Sequence, residues 1–393
     1  MVSPHVIVVG GGLIGLSCAW RAAQRGLSVT VVDDAPGTGA SRVAAGMLAP
    51  VTEVSYGEEA LLRLTITSAR QWAGFAADLE AAAGQAVNYR PDGTLLVGFD
   101  ADDARALDDL SAFQRELGLD VERLGSRECR RREPLLSPRV RAGLLAREDH
   151  QVEPRLVVAA LLRACEAAGV TVHSGRVAGL DHDGGAVRGV ILEDGSALAA
   201  PRVVLAAGCW SGRIDGFPAE AAPAVRPVKG QVLSLRSLDG APVLDACVRG
   251  LVQGRSIYLV PRSNGRLVVG ATQEERGYDT TVTAGATRQL LDDAARVVPG
   301  VDELELTETV AGLRPGTPDN RPLIGPTPLE GLLLATGHHR NGVLLTPLTA
   351  QAIVDHLVGD DPDPVVAVAD PARPGLRAPA RRTDAEVGAG RTA

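Results

Sequence analysis

The amino-acid sequence predicts an α/β fold in two parts, a parallel-sheet domain and an α+β domain built on an antiparallel sheet. His5–Val9 is a short apolar strand, Leu13–Arg25 has helical periodicity that stops at Gly26, and Ser28–Asp33 is a second apolar strand. Strands without polar alternation, separated by a helix, belong to a parallel sheet buried on both faces. Farther along, Ser256–Arg262 and Arg266–Thr272 are joined through Asn264 and Gly265, the strongest short signal for an antiparallel hairpin. A chain of 393 residues also exceeds the roughly 250–300 residues that one core supports, so two packed domains are expected.

The remaining elements follow in order. Glu58–Ala83 reads as a long helix closed by Gly84, and Pro154–Ala168 as another, with Pro in its first turn and Gly169 behind it. Between Arg176 and Ala206 the pattern becomes a short meander, with turns at Gly184-Gly185 and Asp194-Gly195, and Val203–Ala206 returns to the first sheet. Strands from Val228 to Thr272 form the second sheet. A helix at Ala284–Val298, a strand reaching Arg314, the run Gly331–Thr336 and a closing helix beginning near Gly342 complete the order. This places a discontinuous Rossmann-like domain over residues 1–85, 148–225 and 312–360, and a substrate domain over 86–147 and 226–311. Residues 361–393, rich in Pro, Ala and Arg without periodicity, are expected to form a disordered tail.

Composition excludes several classes of function. A net charge of −8 without a clustered basic face argues against nucleic acid, Arg130–Arg132 reading as a solvated helix face. Cys18, Cys129, Cys165, Cys209 and Cys247 are odd in number and contain no CxxC pair, so zinc and disulfide exchange are not expected and the chain reads as cytoplasmic. The uncharged run Val6–Trp20 is broken by three glycines and preceded by no Lys or Arg, unlike a secretory signal. With no uncharged apolar stretch of about 18 residues, no integral membrane contact is expected.

Gly10-Gly11-Gly12-Leu13-Ile14-Gly15 is a GxGxxG that ends a strand and opens a helix, and Asp33 closes the next strand eighteen residues later. That context makes it a dinucleotide fingerprint. Gly10 permits the turn, Gly12 admits a pyrophosphate, Gly15 lets helix and strand pack, and Asp33 accepts from a ribose. The fingerprint alone does not separate FAD from NAD. A second fingerprint is lacking, so the bound nucleotide must exchange electrons with a small substrate and with oxygen or another acceptor.

Three further stretches carry a resemblance: Ser41-Arg42-Val43-Ala44-Ala45-Gly46-Met47-Leu48, Gly312-Leu313-Arg314-Pro315 with Pro318-Asp319, and Gly337-His338-His339-Arg340-Asn341-Gly342. On these the chain, from about residue 5 to 358, resembles the D-amino-acid oxidase superfamily of flavoproteins, and within it the glycine oxidases. The resemblance implies non-covalent FAD, a homotetramer, and oxidation of glycine or similarly small amines, such as sarcosine or D-alanine, by hydride transfer from Cα to flavin N5. The products would be an imine or glyoxylate, ammonia and hydrogen peroxide. O2 would be the acceptor, and a thiazole synthase acting toward thiamine would stand downstream. D-amino-acid or sarcosine oxidase or dehydrogenase activity is the enzymatic alternative, and a non-catalytic flavin-binding sensor the alternative of another class.

Carried over by position, the resemblance implies flavin contacts at Leu13, Ile14, Asp33, Asp34, Ser41, Ala45, Gly46 and Met47, and an adenine contact at Val177. His338, His339, Arg340, Asn341, Gly342, Val343 and Leu344 would line the isoalloxazine ring. There a glycine-bracketed turn opening a helix directs N–H groups toward the charge that reduction creates. Arg314 resembles the arginine that grips the substrate carboxylate, its planar fork suited to two hydrogen bonds. Tyr258 resembles a pocket tyrosine and Arg340 a second substrate-proximal arginine. Without the resemblance, Arg314 would read as a surface arginine and Tyr258 as a strand residue packed in a core. Gln273 departs from an apolar residue found there in some glycine oxidases, which leaves the amine preference open. Lys229, the lone lysine, would have to serve any Schiff-base chemistry, with a structural or flavin-proximal role the preferred reading. For His338 and His339 hydrogen bonding or packing is preferred to base catalysis.

Overall fold

The structure, a computed structural model, describes residues 5–376. One sheet has six strands in the order Leu323–Pro326, Leu332–Thr336, Arg202–Leu205, His5–Val9, Ser28–Val32 and Thr171–His173. All neighbours run parallel except the edge strand Leu323–Pro326. The apolar reading of His5–Val9 has a direct cause, since its successive side chains point to opposite faces. Val6 and Val8 enter a core beneath the helices Leu13–Gln24, Glu59–Ala83, Pro154–Ala167 and Thr346–Val358, while Ile7 and Val9 enter another beneath the meander of Val177–His182, Val187–Leu192 and Ala197–Ala199.

The second sheet has eight strands in the order Glu305–Gly316, Arg226–Arg236, Arg266–Gly270, Arg255–Pro261, Cys247–Val252, Thr94–Gly98, Ala142–Ala146 and Glu122–Gly125. It is antiparallel apart from the pair Cys247–Val252 and Thr94–Gly98. The expected hairpin forms, with Tyr258 opposite Gly270 and Pro261 opposite Leu267. Its outer face packs on the helix Ala284–Val297 through Leu290, Ala294 and Val297.

Two expectations require correction. The closing helix begins at Thr346, not near Gly342, because residues His339–Asn341 form a separate 3-10 turn in which His339 has a φ of 48°. Residues 361–376, expected within the tail, pack against the fold, with Val366 and Ala369 buried in the helical core. Apolar side chains every three residues in Pro364–Ala369 suffice to seat that segment despite its Pro-rich composition. The rest of the expected tail, 377–393, lies outside the described residues. Among the described residues no helix is long and apolar enough to cross a membrane, and all five cysteines are buried and unpaired.

Candidate functional site

The fingerprint turn is as tight as its glycines allow. Gly10 has a φ of 107°, and a Cβ at Gly15 would fall 1.9 Å from the Gly10 carbonyl oxygen, so helix and strand meet with no room for a side chain. Leu13 N–H donates to Ser41 Oγ at 3.0 Å, which brings the segment after Gly39 against the helix start beside half-buried Ile14. The Asp33 carboxylate accepts from Gly11 N–H at 2.6 Å and Ala35 N–H at 2.7 Å, fixing it beside the turn. Asp34 is exposed and pairs with Arg176 at 2.7 Å, next to Val177 at the start of the meander.

The Ser41–Met47 segment then passes between the two sheets. Gly46 has a φ of 82°, and a Cβ there would lie 2.0 Å from the Val152 carbonyl oxygen, so only glycine fits. Buried Arg262 donates to the Ala45 carbonyl and, at 3.3 Å each, to Gln151 Oε1 and the Val152 carbonyl. Burial lowers its pKa to about 10, which leaves it charged at neutral pH. Arg262 was not singled out from the sequence. Its sign there was an arginine closing an otherwise apolar strand.

The loop His338–Leu344 is held from below. Ser68 Oγ and Trp72 Nε1 both donate to the Leu344 carbonyl, at 2.7 and 2.9 Å. Thr346 Oγ1 donates to the Gly342 carbonyl at 2.8 Å, Asn341 N–H to the His338 carbonyl at 2.9 Å, and His338 Nε2 shares a hydrogen bond with Thr349 Oγ1 at 3.0 Å. Val343 and Leu344 are buried in the helical core. His339 Nδ1 is buried with no hydrogen-bond partner in the structure. Burial holds His338 near pKa 3, and burial with the nearby Arg340, Arg314 and Arg226 guanidiniums holds His339 near 4. Both are neutral at physiological pH.

Facing this loop is one side of the eight-stranded sheet. Register places Val228 opposite Arg314, Gly230 opposite Gly312, Tyr258 opposite Gly270, and Arg249 opposite Tyr258. Directly opposed residues share a face, so Arg249, Tyr258 and Arg314 lie together although three strands supply them. Space for them comes from glycines: a Cβ at Gly230 would sit 2.2 Å from Arg314 Nη1, and one at Gly270 would sit 2.3 Å from Tyr258 Oη. Half-buried Arg314 donates to the Thr272 carbonyl at 3.2 Å. Burial pushes the Tyr258 hydroxyl up to about 12 against the opposing pull of Arg314, so it remains a donor.

Arg340 reaches across the rim, donating to Glu58 in an ion pair and, at 3.4 Å each, to the Glu53 carbonyl and Ser55 Oγ. Glu53 lies 3.8 Å from Arg249, and Arg249 also donates to the Thr52 carbonyl. Glu53, Glu58 and Arg249 were not anticipated, since nothing local distinguishes them. Lys229 falls at the alternate register position, opposite Leu313, and so faces away from Arg314. It is 1% exposed and paired with Asp279 at 2.8 Å, in agreement with the structural reading. Gln273 is exposed beyond Thr272.

Comparison with known proteins identifies the family and the fold. Residues 5–356 match the family described as DAO, FAD dependent oxidoreductase. The chain belongs to that family. It is 34% identical over 371 residues to the bifunctional protein ThiO/ThiG of Synechocystis sp., covering 94% of this chain and 54% of that protein. It thus spans about half the length of the first curated relatives it matches. Glycine oxidase of Pseudomonas putida is 34% identical over 367 residues, covering 92% of this chain and 96% of that one. The crystal structure of glycine oxidase from Geobacillus kaustophilus superposes with a TM-score of 0.86 at 30% identity, covering 94% of this chain and 99% of that one. FAD is accordingly the family's cofactor, and the fold is the parallel-sheet flavin domain joined to an antiparallel-sheet domain that glycine oxidase shows.

Proposed function

We propose that this chain oxidises small α-amino acids, glycine foremost, to the corresponding imine. The observation that carries the reading is the placement of Arg314 and Tyr258 on one sheet face, with Arg314 close enough to His339 to depress its basicity. The chain's own residues fit a flavin. The glycine turn at Gly10–Gly15 and the start of the helix at Leu13 and Ile14 would hold the pyrophosphate and Asp33 the ribose. Asp34 and Val177 would flank the adenosine, and Ser41, Ala45, Gly46 and Met47 would hold the middle of the cofactor. The loop His338–Leu344, with the unpartnered His339 Nδ1, would hold the ring.

Arg314 offers a charged fork and Tyr258 a neutral hydroxyl to the same carboxylate, which fixes both the charge and the orientation of the substrate. Arg249, Arg314 and Arg340 are opposed by Glu53 and Glu58, so three guanidiniums face two carboxylates and the surplus charge suits an anionic group. Neutral His338 and His339 add no repulsion toward a cationic amine, and each keeps one N–H donor and one acceptor nitrogen. When bound, FAD supplies the two-electron acceptor and hands those electrons to O2 as hydrogen peroxide. The imine then hydrolyses to glyoxylate and ammonia or is consumed by a thiazole synthase. The ThiO/ThiG relatives support the second fate. Non-covalent flavin attachment and a homotetramer belong to the same reading.

The test is anaerobic addition of glycine to the purified yellow protein. Bleaching of the flavin followed by recovery and peroxide release on aeration is the expected result. Absence of bleaching by glycine, sarcosine or D-alanine would leave a flavin-binding sensor. Faster bleaching by D-alanine or D-proline would shift the assignment to a D-amino-acid oxidase.

A further inference from the structure

The segment after the closing helix reaches back into the functional site. Beyond the buried Val366 and Ala369, Arg373 turns inward with its side chain 6% exposed. Its Nε donates to Asp319 Oδ2 at 2.9 Å and its Nη2 to Asp319 Oδ1 at 2.8 Å, a two-pronged pair. Nη1 donates to the Pro322 and Asp370 carbonyls at 2.8 and 3.0 Å, and Nη2 also to the Arg321 carbonyl at 2.9 Å. Asp319 takes Arg321 as well, Nε at 3.0 Å and Nη2 at 2.7 Å. The turn 317–322 is therefore gripped at its centre.

That turn touches the site on both sides. It continues the strand that carries Arg314, and the Thr317 methyl group is what a Cβ at Gly337 would meet, 2.5 Å away, where the His338–Leu344 loop begins. Asn320, with a φ of 60°, donates Nδ2 to Glu58 Oε1 at 2.8 Å. The other oxygen of Glu58 pairs with Arg340. A carboxylate engaged by separate donors on its two oxygens cannot rotate freely, so the turn fixes Glu58, and Glu58 fixes the guanidinium.

We propose that Arg373 is a positioning residue for substrate binding: by gripping the 317–322 turn it sets, through Asn320 and Glu58, where Arg340 stands at the site. The proposal rests on the amino-acid oxidase reading, in which Arg340 lies beside the substrate carboxylate. Small displacements matter there, because misplacing a group by about 1 Å costs on the order of 100-fold in well-oriented sites.

The test uses flavin-loaded protein and acetate, a carboxylate without an amine, titrated against the visible flavin spectrum. Asn320→Gly keeps the left-handed backbone and removes only the bond to Glu58. Arg373→Lys keeps the charge and removes the fork. Both are expected to weaken acetate binding by about tenfold, and to raise KM for glycine by a similar factor with kcat within about twofold, as loss of ground-state binding requires. Flavin retention and melting temperature of Asn320→Gly should stay at the wild-type level. Acetate affinity within about twofold of wild type in Asn320→Gly, or tighter binding, overturns the proposal even if Arg373→Lys is unstable. So does the failure of acetate to perturb the wild-type flavin. If acetate binding falls as expected while wild-type protein leaves glycine unoxidised, the positioning role stands and the substrate assignment fails.

Discussion

In the proposed reading Arg314 is the side chain that binds the substrate carboxylate, and its surroundings say what removing it would do. Its Nη1 donates to the Thr272 and Lys229 carbonyls at 3.2 and 3.5 Å, and its guanidinium lies over Gly230, which leaves Nε and Nη2 for an anion. Losing a charge-assisted, two-pronged contact costs roughly 3 kcal/mol, about 150-fold in binding. Arg314→Ala should therefore raise KM for glycine by about two orders of magnitude while the protein stays yellow; steady-state rates beside the flavin spectrum check this, and unchanged KM would remove Arg314 from the site. Tyr258→Phe removes one neutral donor and should cost about 1 kcal/mol, or some fivefold in KM. Arg262 has no comparable freedom, since both of its Nη atoms are engaged, by the carbonyls of Ala45 and Val152 and by Gln151. Its removal should release the Ala45–Met47 segment and with it the flavin.

Elements set these side chains in place, and glycines decide whether they can lie where they do. A methyl at Gly230 would overlap Arg314 at 2.2 Å, so Gly230→Ala should displace the guanidinium and raise KM while flavin is retained. Gly46→Ala should instead give colourless protein, because its Cβ would strike the Val152 carbonyl at 2.0 Å and its φ of 82° is strained for any side chain. Flavin content per chain after purification separates the two. The contrast also shows what could be read in advance. The Gly10–Gly15 turn and Asp33 were legible because one contiguous strand–helix–strand unit encodes them. Arg249, Tyr258 and Arg314 come from three strands, ordered in the sheet as Glu305–Gly316, Arg226–Arg236, Arg266–Gly270, Arg255–Pro261 and Cys247–Val252. No local pattern states that order, so Arg314 and Tyr258 were singled out only through a family likeness and Arg249 was not singled out. Segment 361–376 was misjudged for a related reason: Val366 and Ala369 find their apolar neighbours, and Arg373 its ion pair, in elements far away in sequence.

At the scale of the whole molecule, burial around the site ties stability to pH. His338 and His339 have folded values near 3 and 4, below the ordinary 6.5, because burial disfavours their charged forms. The unfolded chain therefore binds protons that the folded chain refuses, and the stability these two contribute is complete above about 6.5 and is lost as pH falls toward 4 and then 3. Asp149 acts in the opposite sense. Burial lifts its carboxyl from 3.8 to about 6 despite three hydrogen bonds from Val51 and Thr52, so its contribution is present below 3.8 and is lost as pH rises through about 6. The two downward shifts taken together exceed the upward one at Asp149 and should prevail. The melting temperature is expected to climb between about pH 4 and 6.5. That climb should become shallower in His338→Gln, which keeps an acceptor or donor near Thr349 but does not titrate. In Asp149→Asn, where the opposing proton is gone, it should become steeper. A wild-type profile that is flat or falling across this window would mean that the His338–Leu344 loop is open to water, and that its histidines titrate as they do in an unfolded chain.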